Sequence, residues 1–220
     1  MFKSLKAVFV CVTCTLLVVS PVLSNFEPRT GTVIIVVAGY AFSVPRILLG
    51  SVIPVSGKND DLWRKAEEVD AQSFQISAYK TNLGTSGYVK WARQQGLPTQ
   101  IRITRADDRF RSTFVQLEQI KSKYAQAQIH DGFERTETPS TFYYKPVDVR
   151  GRSFDDEPIV FACSRSANLT GGHTCRTAYR YRRELTIFYS FDDSNIPASE
   201  WLHLNERVRE FIGSLMSNRT

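Results

Sequence analysis

The chain of 220 residues is poor in the side chains that most often carry chemistry, with 3 histidines, 4 cysteines and 2 methionines. His130, His173 and His203 are scattered, and no H-E-x-x-H pattern sets two of them on one helix face, which excludes the common zinc-protease arrangement. Nucleophile and phosphate signatures are missing too. Gly84-Thr85-Ser86-Gly87 is one residue short of G-x-S-x-G and lacks its strand-to-helix setting. Gly50 and Gly57-Lys58 stand too far apart for a phosphate loop, and Asn59 replaces the magnesium-binding Ser or Thr. No internal repeat and no long linker divides the chain. A composition of 42% hydrophobic and 23% charged residues excludes collagen-like, disordered and polytopic membrane classes.

What is present begins at the N-terminus. Lys3 and Lys6 precede an apolar run over residues 7–19, then Ser20-Pro21 and Val22-Leu23-Ser24. This is the three-part pattern of a secretory signal peptide, so residues 1–24 are expected to be removed after Ser24 and residues 25–220 to form one exported, periplasmic domain. The competing reading is an uncleaved anchor, but the run is shorter than the ~20 residues that span a bilayer. Neither Cys11 nor Cys14 has the preceding residues of a lipoprotein signal. A second apolar stretch, residues 32–55, contains Pro45, Arg46 and Pro54 and is rich in Val and Ile, which favours buried strands over a membrane span.

Removal of that segment takes away two lysines and no acid, lowering the formal charge from +6 by two, to +4. It also leaves Cys163 and Cys175 as a pair, most simply a disulfide in an exported protein. A metal site built on His173 and Cys175 is the alternative, with three ligands and no fourth in view. No cofactor is expected.

Periodicity then reads as α+β: an antiparallel sheet packed by a central and a C-terminal amphipathic helix. Residues 33–37 and 40–44 form two strands around Ala38-Gly39. Phe74 and Ile76, and then Ile101 and Ile103, alternate with polar neighbours. Phe110, Phe114, Leu117, Ile120 and Tyr124 make one helical stripe led by Asp107-Asp108. Residues 88–95 read as a short helical piece, and residues 131–158 as loop-rich, with one candidate strand at residues 142–144. Strands follow over residues 159–163, 174–181 and 185–191. The last helix carries Trp201, Leu204, Val208, Phe211, Ile212 and Leu215 on one face.

Acidic pairs such as Asp60-Asp61, Asp107-Asp108 and Asp192-Asp193 sit at element ends, where turns and caps account for them better than two opposed catalytic carboxylates do. The sharpest local feature is basic. Arg176, Arg180 and Arg182 are expected to share one strand face with Ala178, opposite Cys175, Thr177, Tyr179 and Tyr181, with Arg183 beside them. A solvated sheet face is the plain reading. As a site, the four arginines fit acidic protein loops or lipid phosphates; nucleic acid suits a modestly charged exported protein poorly.

The segment Val37-Ala38-Gly39-Tyr40-Ala41-Phe42-Ser43-Val44-Pro45-Arg46 resembles the G-x-x-F-x-V/I-P pattern of small exported bacterial proteins. The closing segment, from Leu185-Thr186-Ile187-Phe188-Tyr189-Ser190-Phe191 through Trp201 to Val208 and Phe211, is similar to the end of periplasmic proteins that accompany type VI secretion effectors, immunity proteins of lipase effectors among them. The resemblance spans about a third of the chain and implies a non-enzymatic protein that binds another protein and neutralises a toxic effector. An envelope hydrolase with a site assembled from distant residues, and a structural component tethered through its N-terminal segment, are the competing functions.

Overall fold

The computed structural model describes residues 31–56, 65–77, 96–98, 100–124, 128–148, 151–168 and 171–216. The expected signal segment, most of the 56–61 loop, the 84–87 loop and the expected helical piece at residues 88–95 lie outside them.

The described residues build an α+β architecture around one mixed sheet with two α-helices and one disulfide. The strands are β1 (Thr32–Val37), β2 (Tyr40–Pro45), β3 (Leu49–Pro54), β4 (Glu68–Ser77), β5 (Gln100–Arg105), β6 (Gln128–His130), β7 (Phe133–Glu137), β8 (Thr141–Pro146), β9 (Phe161–Ser164), β10 (Thr174–Arg182) and β11 (Leu185–Asp192). The helices are α1 (Thr113–Lys121) and α2 (Trp201–Leu215). The strand order is β2-β1-β4-β5-β11-β10-β9-β8-β7-β6, with β3 pairing β4 off this path.

The expected hairpin at residues 33–44 forms, and Ala38 (φ 52°) and Gly39 (φ 82°) supply the left-handed pair its two-residue turn requires. The sheet is not purely antiparallel, because β1 runs parallel to the start of β4. The chain reverses between β1 and β2 and again between β3 and β4. The short 3-10 turn Arg46–Leu48 carries it onward without reversal, so β4 returns in the direction of β1.

Two further expectations are corrected. The central helix starts at Thr113, not after Asp107-Asp108, because Ser112 caps it by accepting a hydrogen bond from the Val115 N–H at 3.1 Å. Phe110 and Tyr124 therefore fall outside it, and of the apolar stripe only Leu117 is fully buried. Residues 128–146 are a three-strand meander, β6 to β8: the expected strand at residues 142–144 forms within β8, whereas β7 lies in a stretch read as loop-rich and β6 just before it.

The sheet has one apolar and one polar face. The ladders set Leu49, Ile76, Ile101, Tyr189 and Thr177 side by side across five strands, and Phe161 beside Tyr144 across β9 and β8. Val52, Phe74, Ile103, Ile187 and Tyr179 form the next row. Helix α2 lies on this inner face through Trp201, Leu204, Val208, Ile212 and Leu215, all buried. Trp201 closes an aromatic cluster, its ring centroid 5.3 Å from Phe161, 5.5 Å from Phe191 and 5.0 Å from Tyr144. Phe211, expected on that face, is only half-buried, and Asn205 takes a buried place instead.

Candidate functional site

The outer face of the sheet is built from the alternate residues. One row across it reads Ser77, Gln100, Ser190, Arg176, Ala162 and Tyr143. The next reads Gln75, Arg102, Phe188 and Ala178, and a third Ser73, Thr104, Thr186 and Arg180. Small polar side chains thus form a shallow bed with exposed Arg176 and Arg102 standing above it, between half-buried Tyr143 and Phe188. Arg102 donates to Gln75 Oε1 at 3.1 Å, and no ion pair to either Arg176 or Arg102 is seen among the described residues.

Of the four expected binding arginines, Arg176 and Arg180 lie on this face. Arg180 is already engaged: its Nε is 3.1 Å from Asp155 Oδ2, and Nη1 donates to the Arg183 carbonyl at 3.2 Å. Arg183 lies in the β10–β11 turn. Arg182 is not on the outer face, and the cause is a β-bulge. Arg180 pairs with Thr186, yet Arg182 pairs with Leu185, so Tyr181 is the extra residue and alternation is lost there. Arg182 shares the face of buried Leu185, its guanidinium 5.4 Å from the Tyr181 ring, which Arg209 of α2 also approaches at 5.8 Å. Arg102 was missed as a member of the patch because it comes from a strand 74 positions before Arg176 in the chain; only the register β5-β11-β10 unites them.

Past Arg176, β9 no longer pairs with β10, and that edge is stoppered. Ala178 N–H donates to Thr113 Oγ1 at 2.8 Å, and Phe154 N–H donates to the Arg180 carbonyl at 2.8 Å. The Phe154 bond belongs to a backbone strap over residues 151–158, which also accepts Arg209 Nη1 at the Arg152 carbonyl, 2.6 Å away. Ser112 Oγ donates to Glu157 Oε2 at 2.6 Å and joins the start of α1 to the same strap. The strap leaves Phe154 54% exposed beside Arg180, an aromatic side chain at the rim of the polar face.

Cys163 and Cys175 form the expected disulfide, directly opposite each other in the β9–β10 ladder. His173 is therefore not its partner in a metal site, and the described residues contain no group of three His, Cys, Asp or Glu placed to hold a metal ion. Among the described residues no helix is long and apolar enough to cross a membrane.

A cleft of about 760 Å³ opens at one end of the sheet, where Glu68, Asp70 and Glu184 line it with Arg105 against Val55 and Val69. A third place, beyond the N-terminal end of α2 on the inner face, gathers Arg135, Arg165, His173 and Glu137 around the ring of Phe142. The Tyr144 hydroxyl nearby is raised above its ordinary pKa, by burial first; Arg135 pulls it down, and Asp193, Glu137 and Asp131 push it further up.

The chain matches no protein-family model and no curated protein sequence. The crystal structure of the Neisseria meningitidis iron-regulated outer membrane lipoprotein FrpD is similar to it at 15% identity and a TM-score of 0.49, over 86% of this chain and 93% of that one.

Proposed function

We propose that this is an exported, non-enzymatic protein that works by binding another protein through the outer face of its sheet, and that its partner is a toxic effector which it neutralises as a periplasmic immunity protein. The observation that carries the binding reading is the exposed pair Arg176 and Arg102 on a rigid bed of small side chains, flanked by Tyr143 and Phe188. Arginines on a fixed backbone offer planar, two-pronged hydrogen bonding to carboxylates, and aromatic neighbours add desolvated contact area. The partner surface is therefore acidic. The export part of the reading rests on the signal-like residues 1–24, and the immunity part on the resemblance of the closing segment.

The test places a photo-crosslinking residue at Ser190, within the face, and another at Glu210, on the exposed side of α2. A partner captured from Ser190 and lost in the Arg176→Glu/Arg102→Glu variant supports the reading; equal capture from both positions, or capture that survives the charge reversal, overturns it. Co-expression of the neighbouring gene product tests the immunity role: protection of the cell by the wild-type chain and not by the reversed one is expected.

The cleft is the observation that favours a second reading, a hydrolase using Glu68, Asp70 or Glu184, since a concave site with converging carboxylates is the ordinary place for such chemistry. Turnover of an envelope polymer that is lost in Glu184→Gln would replace the binding reading with that one.

A further inference from the structure

We propose that Arg135, Arg165 and His173 form an oxyanion-binding site around Phe142, taking a carboxylate or phosphate group, with Glu137 as the internal carboxylate the ligand must displace. The site lies on the inner face of the sheet and does not depend on the outer-face reading.

Its construction follows from the ladder. Residues Glu137, Phe142, Cys163 and Cys175 sit in one row, and Arg135 pairs with Tyr144 in the next. Trp201 packs over Tyr144 and Phe161, one row further in. Phe142 is nevertheless buried, and the groups around it are largely cationic. The Arg135 guanidinium lies 4.2 Å from its ring centroid and that of Arg165 5.4 Å away, while the His173 ring meets it edge to face at 5.8 Å. Stacking on an aromatic face holds a guanidinium in plane and leaves its N–H edge for an acceptor.

An oxyanion already occupies part of that edge. Glu137 Oε1 is 2.8 Å from Arg135 Nη2, and its Oε2 is 3.9 Å from Arg165 Nη2. Glu137 therefore displays how a carboxylate bridges the two arginines, yet its side chain is 43% exposed, so solvent or a ligand reaches the same place. The donors exceed what it can fill. Arg165 Nη1 donates to the Thr138 carbonyl at 3.2 Å, but among the described residues Arg135 Nε and His173 Nδ1, both shielded from solvent, find no hydrogen-bond partner. Both guanidinium groups converge on Glu137, and a second carboxylate, Asp193, fixes the backbone of His173 by accepting its N–H at Oδ1 at 2.6 Å. Unfilled N–H donors held beside two guanidinium groups on a rigid aromatic base are the properties of an anion subsite.

The test follows the Arg Nε–Hε and His ring resonances of the isotope-labelled full chain while inorganic phosphate or, separately, succinate is added at constant ionic strength with chloride. Saturable shifts centred on Arg135, Arg165 and His173 are expected. Stronger binding of succinate assigns the ligand as a carboxylate, and stronger binding of phosphate assigns a phosphate. Glu137→Gln, an exposed and nearly isosteric change, should tighten binding about tenfold by removing the competing carboxylate, and Arg165→Gln should weaken it by a similar factor. A purely structural role for Glu137 predicts no gain in affinity. No saturable shift with either anion, or equal affinity in wild type and Glu137→Gln, overturns the proposal. Arg176→Glu, on the other face, should leave these shifts unchanged, so failure of this site and failure of the outer-face reading are told apart.

Discussion

Thr113 Oγ1 accepts the backbone N–H of Ala178 at 2.8 Å, so the first residue of a helix completes the hydrogen bonding of a strand edge 65 positions away. A free strand edge is a template for unwanted pairing, and here a side chain closes it. Thr113→Val keeps the shape and removes the acceptor. It should lower stability by about 1 kcal/mol, more if water cannot reach the orphaned N–H. Urea unfolding measures this, and an unchanged midpoint would show that the hydroxyl is not holding the edge.

The disulfide joins cysteines 12 positions apart that the ladder already sets face to face. Closing so short a loop restricts the unfolded chain and should contribute about 3 kcal/mol. A Cys163→Ala/Cys175→Ala variant is expected to stay folded, because the surrounding core row is intact, but to melt well below the wild type. Addition of reductant should lower the wild-type melting temperature and leave the variant where it is.

Tyr179 and Tyr189 carry buried hydroxyls under α2, and burial raises both above the ordinary tyrosine value of 10.0. Arg209 pulls each of them partly back. A folded pKa above the unfolded one means that the stability due to these groups is complete below pH 10 and is lost as pH rises from there toward the folded values. The chain should therefore unfold cooperatively in strong alkali, with tyrosinate absorbance appearing together with loss of circular dichroism; ionisation of both rings in a still-folded chain would contradict this.

The two hydroxyls differ in partners, which separates the effects of removing them. Tyr189 OH donates to Asn205 Oδ1 at 3.3 Å, whereas Tyr179 OH has no partner among the described residues. Tyr189→Phe should cost about 1 kcal/mol by stranding the Asn205 carbonyl, and Tyr179→Phe should be neutral or slightly stabilising. Denaturant midpoints of the two variants give the comparison directly, and a larger loss at Tyr179 would mean its hydroxyl is bonded after all.

Much of this fold is written locally. Val33, Ile35 and Val37 alternate with half-buried neighbours, Ala38-Gly39 marks the turn, and the β10–β11 hairpin and α2 follow their hydrophobic periods closely. The meander escaped because β7 reads Phe-Glu-Arg-Thr-Glu, with the charged Glu134 and Arg135 both half-buried, so alternation gives no clean signal. The start of α1 escaped because an Asp pair and a Ser both make good caps, and tertiary contact between Ser112 and Glu157 decided between them. The proposed binding face was half legible. Arg176 and Arg180 follow from alternation along one strand, but Arg102 depends on register between distant segments, and a bulge at Tyr181 has no local sequence mark.

That bulge separates two arginines that strict alternation would make equivalent. If alternation ran to the end of β10, Arg176 and Arg182 would contribute alike to an outer-face interface. The register instead turns Arg182 toward Leu185 and the Tyr181 ring, on the side covered by α2. Arg176→Glu should therefore weaken capture of the partner at least tenfold, with a loss that deepens at low salt, where charge repulsion is least screened. Arg182→Glu should leave capture within about twofold of wild type, since its charge is on the far face from the proposed interface. Titration of the crosslink-identified partner against both variants, at two ionic strengths, reads the difference. Equal losses would place Arg182 in the interface and argue that the strand end straightens on binding.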